Sequence, residues 1–345
     1  MTDVINIDTA AEGLNKVRAE ISKVFVGQKE LVEHSLITLL AGGHLLVEGV
    51  PGLGKTLLVR ALAKAIGGES RRIQFTPDLM PSDITGNIML DVQAGKFITR
   101  RGPVFTNVLI ADEINRAPAK TQAALFEAMQ EFQVSLDGTE YPLPKPFMVL
   151  ATQNPFEHEG TYPLPDAQKD RFLMKLLIQY PGEDEEKEMV SQVLSGGTGA
   201  ELSLEGVNQA LSPEDLSNLK NMASHVKVDP LIIDYAVRLV TATRNTGNAS
   251  RAIETGAGPR GSLALIRCAR AKALLEGRDF VIPDDIKALA VPVLIHRINL
   301  SAESDLEGLD EVRAVEALVS RVHAPKIEIP KDETPGSETS SGEAI

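Results

Sequence analysis

Between about residues 43 and 180 the chain alternates short apolar runs with stretches of helical period. The runs are "HLLVEG", "RIQFT", "NVLIADE", "FMVLATQN" and "FLMKLLIQY". Between the first two, "KTLLVRALAKAI" has helical period and stops at Gly67-Gly68, a C-terminal signal. After the third, "PAKTQAALFEAMQEF" places Leu125, Ala128, Met129 and Phe132 on one helical face. Strand alternating with helix predicts an α/β fold, a parallel sheet covered on both faces. Leu14, Val17 and Ile21 predict a leading helix over residues 1–20.

Two segments break this rhythm and read as hairpins. "GNIMLDVQAGKFITRRGPV" holds two strand-like pieces joined at Ala94-Gly95. "FQVSLDGTEYPL" turns at Asp137-Gly138, a strong tight-turn dipeptide. A parallel core does not need them, so these inserts, 87–106 and 132–144, are candidates for contact with a partner or substrate. After about residue 181 the pattern becomes helical. The predicted division is a core over 21–181, connecting helices over 182–225 and an all-helical unit over 226–330. Asp229 and Pro230 mark one helix start, with Ile232, Ala236, Leu239 and Val240 on its apolar face. "PRGSLALIRCARAKALLEG" is another helix, stopping at Gly277, with Cys268 as core filler. Residues 331–345 are polar without apolar pattern and are expected to be disordered.

Composition narrows the function classes. The 345 residues contain one cysteine, so no internal disulfide or cysteine-held zinc is possible. No run of about eighteen apolar residues predicts a membrane span, and the polar start lacks a secretory layout. A cytoplasmic location is expected. The net charge of −13, from 35 basic and 48 acidic residues, argues against nucleic acid spread over the whole surface. The pairs Arg71/Arg72 and Arg100/Arg101 are the local basic candidates.

The chemistry lies in "EGVPGLGKTLL", which fits G-x-x-x-x-G-K-[ST] with Gly49, Gly54, Lys55 and Thr56, after a strand and before a helix. Its glycines turn backbone amides toward phosphates, and the following helix points its positive end at them. Lys55 supplies charge between the β- and γ-phosphates, and Thr56 a hydroxyl to Mg²⁺. In "VLIADEINRA" an apolar strand runs into Asp112 and Glu113. Two carboxylates there are costly unless something binds them. Asp112 suits the Mg²⁺ shell, and Glu113 can take the proton of an attacking water. That favours hydrolysis over transfer to another hydroxyl. Asn154 ends the strand "FMVLATQN" and can hold the same water or touch the γ-phosphate. Arg171 precedes an apolar run, and Arg251, Arg260 and Arg267 lie in the helical unit. Arg260, at a helix start, opposes that helix's dipole, so an anion nearby is expected.

Together "VFVGQKE", "GVPGLGKT", "FTPDLMPSDITG", "ADEINRAPAKTQAALFEAMQE", "LATQNPFEHEGTYPLPDAQKDRFL" and "GPRGSLAL" resemble the MoxR family of AAA+ ATPases, over about residues 20–270. The resemblance implies a five-stranded αβα P-loop core with a C-terminal helical lid, assembling as a ring, usually a hexamer. By resemblance Arg171 is the arginine finger entering the neighbouring subunit's site. Asn154 is similar to sensor 1 and Arg260 to sensor 2, reaching the γ-phosphate from the lid. Gly27 and Gln28 look like part of the adenine-side pocket, and Pro51, Gly52, Leu53 and Leu57 fall within or beside the phosphate loop. Arg116 is a candidate to face the neighbour. Gly261 and Ala119 stand where alanine and proline are frequent in the family.

The resemblance implies a Mg²⁺-dependent ATP hydrolase acting as a chaperone on protein clients, with a von Willebrand factor A domain partner. The alternative is a nucleic-acid motor, because sister clades carry similar inserts. The second hairpin, "QVSLDGTEYP", has no lysine at its tip, which disfavours DNA.

Overall fold

The computed structural model describes residues 6–50, 53–92, 95–154, 160–195, 204–244 and 252–326. Helices α1 (Ile7–Ser22) and α2 (Lys29–Leu40) lead into β1 (Leu45–Gly49), α3 (Lys55–Ala65) and β2 (Ser70–Gln74). The short α4 (Pro81–Thr85) precedes a hairpin of β3 (Gly86–Asp91) and β4 (Lys96–Arg101). Strand β5 (Val108–Asp112) leads to α5 (Ala119–Glu131), then a second hairpin of β6 (Gln133–Leu136) and β7 (Thr139–Pro142). Strand β8 (Met148–Gln153), α6 (Asp166–Lys169) and β9 (Met174–Ile178) complete the core.

All five predicted apolar runs are strands of one parallel sheet, in the order β2-β5-β8-β1-β9. Burial alternates between its two faces. Leu45, Val47, Val108, Ile110, Met148 and Leu150 join one apolar cluster, and Leu46, Leu109, Ala111, Val149 and Ala151 the other. Side chains of alternating residues leave opposite faces of a strand, so a run apolar at every position needs cover on both sides. The helices α1, α2 and α3 supply it on one face and α5 on the other.

The second half is helical: α7 (Glu183–Ser195), α8 (Pro213–His225), α9 (Pro230–Ala242), α10 (Pro259–Leu275), α11 (Pro283–Leu294), α12 (Ala302–Leu306) and α13 (Glu311–Arg321). A small ribbon of β10 (Ile253–Thr255) and β11 (Asn299–Leu300) is the exception. Asp229 caps α9 by accepting from the Leu231 N–H at 2.8 Å, with Pro230 first in the helix. Ile232, Ala236, Leu239, Val240 and Cys268 are buried as their spacing predicts. The leading helix starts at Ile7, and residues 1–5 lie outside the described residues, as do 331–345.

One expected core position is corrected. Helix α5 ends at Glu131, and Phe132 is its left-handed cap (φ 53°). Its ring therefore leaves the helical face of Leu125, Ala128 and Met129, remains 40 % exposed, and stacks on His44. The second hairpin turns through left-handed Asp137 and Gly138, as a two-residue connection between twisted strands requires. The first exposes Met89, Leu90, Val92, Phe97 and Ile98. Among the described residues no helix is long and apolar enough to cross a membrane.

Candidate functional site

The carboxyl ends of β1, β5 and β8 converge on a cavity of about 240 Å³. Gly49, Leu53, Gly54, Lys55, Thr56, Leu57, Asp112, Glu113 and Asn154 all line it. Residues 44 to 57 and 108 to 154 are far apart in the chain, and only sheet order makes them neighbours. Pro51 and Gly52 lie outside the described residues. Gly54 adopts φ 73°, a backbone that a side chain would strain, immediately before α3. The amino end of α3 therefore opens onto the cavity, a site suited to phosphate.

Lys55 is buried, and its ammonium donates to the Gly49 carbonyl at 3.2 Å. Burial lowers its pKa, while Asp112 and Glu113 work in the opposite direction. A cation held among carboxylates and short of full hydration is ready for an anionic ligand. Both oxygens of Asp112 are engaged. Oδ1 accepts from the Thr152 hydroxyl at 2.9 Å and Oδ2 from Arg72 Nε at 2.7 Å. Glu113 sits in the left-handed region (φ 55°), and its N–H donates to Thr152 Oγ1 at 2.9 Å. Such strain in a non-glycine residue persists only where its surroundings hold it. Its carboxylate accepts from Gln74 Nε2 at 2.8 Å and pairs with Arg116 Nε at 3.0 Å.

Thr56 and Asp112 offer hydroxyl and carboxylate oxygen, a hard donor set that fits Mg²⁺ bound also by phosphate and water. Gly27 (φ 74°) and Gln28 (φ 45°) stand elsewhere. Gln28 lines a second cavity of about 520 Å³ with Leu176, Leu177, Ile178 and Glu185. Gly49 pairs in register with Ile178, so this cavity borders the end of β1. The Gln28 Oε1 atom is buried without a hydrogen-bond partner among the described residues.

The structure does not bring Arg171 and Arg260 to the cavity that Lys55 and Asp112 line. They line another, of about 320 Å³, together with Gly42, His44, Asp170 and Arg267. Gly42 and His44 precede β1 and Gly49 ends it. The two cavities thus lie at opposite ends of the strand, roughly 15 Å apart for five residues. Arg171 donates to the Phe126 carbonyl at 3.1 Å. Arg260 is the second residue of α10, and the anion its helix dipole calls for is Asp170, at 3.5 Å. Arg267 donates to the carbonyls of Ala41 and Gly42, at the end of α2. Arg251 lies outside the described residues.

Arg72, Gln74 and Thr152 line the cavity that holds Lys55 and Asp112 but do not stand out in the sequence. Arg72 reads there as half of a surface basic pair. The place of Arg72 and Gln74 follows from register: Gln74 pairs with Asp112 across β2 and β5, and Arg72, two residues earlier, shares its face.

Residues 44–174 match the ATPase family associated with various cellular activities (AAA), and residues 246–318 match the AAA lid domain. The chain is 45 % identical over 312 residues to the uncharacterized protein YeaC of Bacillus subtilis, covering 90 % of this chain and 95 % of that one. It is 43 % identical over 319 residues to Chaperone MoxR1 of Mycobacterium tuberculosis, covering 91 % and 83 %. The solved structure of an ATPase candidate from Cytophaga hutchinsonii superposes with a TM-score of 0.86 at 41 % identity, covering 93 % of this chain and 97 % of that one.

Proposed function

The chain belongs to the MoxR family of AAA ATPases, and from that premise we propose a Mg²⁺-dependent, ring-forming ATP hydrolase that remodels protein partners. The observation that carries the proposal is the split of its polar groups between two cavities at opposite ends of β1. One holds the phosphate loop, the acids and Asn154, and the other Arg171 and Arg260. An arginine side chain spans about half of the roughly 15 Å between them. Arg171 and Arg260 therefore serve the nucleotide of a neighbouring copy, and the pocket is completed by assembly.

Within the phosphate cavity each group has a task. Backbone amides at the start of α3 and the Lys55 ammonium bind the β- and γ-phosphates. Thr56 and Asp112 would hold Mg²⁺, which when bound neutralises charge on the phosphate oxygens. Asn154 positions the attacking water, and Glu113 accepts its proton. Gln28 and Gly27 border the space beside β9 that suits the base. An exposed apolar hairpin, β3–β4, is the surface offered to a client. A hexameric ring and a von Willebrand factor A domain partner follow by family likeness, and a cytoplasmic location from the composition of the chain. A nucleic-acid motor is not favoured.

Glu113→Gln keeps the shape of the site and removes the base. It is expected to bind ATP with near wild-type affinity and to lose at least about a hundredfold in turnover. Calorimetric affinity and phosphate release check this. Turnover at the wild-type rate would remove Glu113 from its role.

A further inference from the structure

We propose that Arg72 competes with Mg²⁺ for Asp112, and so sets how strongly nucleotide binding depends on the metal. The inference rests on the reading of Asp112 as the acid that takes Mg²⁺. Asp112 has two carboxylate oxygens and a partner on each. A metal ion, bound directly or through its water shell, needs one of them.

The two partners differ in how they can leave. Thr152 is 3 % exposed, and its hydroxyl also accepts the Glu113 N–H. Taking that hydroxyl from Asp112 strands a buried polar group. The Arg72 side chain is 53 % exposed and the Asp112 side chain 15 %. A guanidinium in that position is rehydrated as it turns away, and the pair it gives up is of the modest, half-screened kind. A guanidinium and a divalent cation at one oxygen also repel each other. Metal binding therefore displaces Arg72 and leaves Thr152 in place.

By linkage, the free energy of the Arg72–Asp112 pair is subtracted from the affinity for the metal-bound nucleotide. Nucleotide bound without metal leaves the pair intact, and there Arg72 shields the phosphates from the Asp112 charge. The same guanidinium donates Nη2–H to Gln74 Oε1 at 2.8 Å, and Gln74 Nε2 grips Glu113. Displacement of Arg72 thus also loosens the hold on Glu113 once the metal has arrived. Arg72 is a positioning residue: it acts through Asp112 and Gln74.

The test measures ADP affinity by calorimetry in the full-length chain, once with Mg²⁺ and once with EDTA. ADP avoids turnover. Wild type is expected to bind more tightly with Mg²⁺. Arg72→Ala is expected to raise the ratio of the two affinities by about fivefold, tightening the Mg²⁺ arm and weakening the EDTA arm. Arg72→Lys, which keeps the charge, returns the ratio to within about twofold of wild type. If Arg72→Ala is unfolded by thermal melt, Arg72→Gln carries the same comparison. An unchanged ratio, or an equal loss in both arms as a direct phosphate ligand would give, overturns the competition and leaves the phosphate site standing. A wild type that binds no ADP, or binds it indifferently to Mg²⁺, overturns the reading of the cavity and this inference with it.

Discussion

His44 shows how one side chain can carry a condition for folding. It lies buried just before β1, with Nδ1 accepting the Val149 N–H at 3.0 Å and Nε2 donating to the Met129 carbonyl at 3.0 Å. Burial is the main reason its pKa falls from 6.5 to about 4, with Lys220 and Arg267 adding to it and the Met129 bond opposing. His296, buried against the Phe172 carbonyl and beside Arg297, is likewise lowered. A histidine with a depressed pKa is neutral in the fold and takes up its proton in the unfolded chain. Stability is then complete above about pH 6.5 and is lost as pH falls toward 4. Urea unfolding at pH 7 and pH 5 should differ by about 2 kcal/mol for His44 alone, with the lower value at pH 5. His44→Gln should flatten that acid slope while lowering stability at pH 7. An unchanged slope would mean that folding does not lower the His44 pKa. Single residues of this kind are legible in sequence only as identities: "GGHLLVEG" announces a strand, not a buried acceptor.

At the scale of elements, punctuation and period agree with the structure. Gly67, at φ 63°, follows α3 where the Gly67-Gly68 stop places its end, and Asp137-Gly138 forms the tight turn it predicts. Ser212 and Asp215 form a reciprocal cap on α8, with the Ser212 hydroxyl accepting the Asp215 N–H at 3.1 Å and the Asp215 carboxylate accepting the Ser212 N–H at 2.8 Å. Hydrogen bonds from Ser212 lower the Asp215 pKa. Ser212→Ala should cost about 1 kcal/mol and lower the melting temperature by about 2 °C, measured by calorimetry. A change below about 0.3 kcal/mol would show the cap to be replaceable by water. Phe132 departs from its predicted helical face because period describes where a helix would put a side chain, not where the helix stops. The same limit hides Arg72: a strand pattern marks alternation but not the partner strand across from it.

The whole molecule joins the lid to the segment that carries Arg171. Arg297, near the end of α11 and 9 % exposed, donates to the Asp170 carboxylate at 2.8 Å and to the Phe172 and Leu173 carbonyls at 2.6 and 3.2 Å. Arg260 adds a second lid contact to Asp170. The lid thus grips both sides of Arg171 from within its own chain. If Arg171 acts on a neighbour, Arg171→Ala should keep nucleotide affinity and lose turnover. Mixed with Lys55→Ala, which loses nucleotide, it should regain a measurable part of the wild-type rate. Phosphate release across mixing ratios is the measurement, and no recovery at any ratio would exclude an arginine shared between copies.

The five strands, the glycine-rich turn before α3, the paired acids at a strand end and the helical second half are legible in the linear pattern of the chain. Each rests on local chemistry: apolar period, glycine backbone freedom, helix punctuation and the cost of placing charge beside an apolar strand. Folding sets the strand order β2-β5-β8-β1-β9, and everything that order brings together. Arg72 beside Asp112, Gln74 beside Glu113, and Arg171 and Arg260 at the far end of β1 are pairings of residues distant in the chain. Hydrophobic burial drives the sheet to close with no regard for which polar tips meet at its rim. Register therefore chose those partners, and no local pattern could name them.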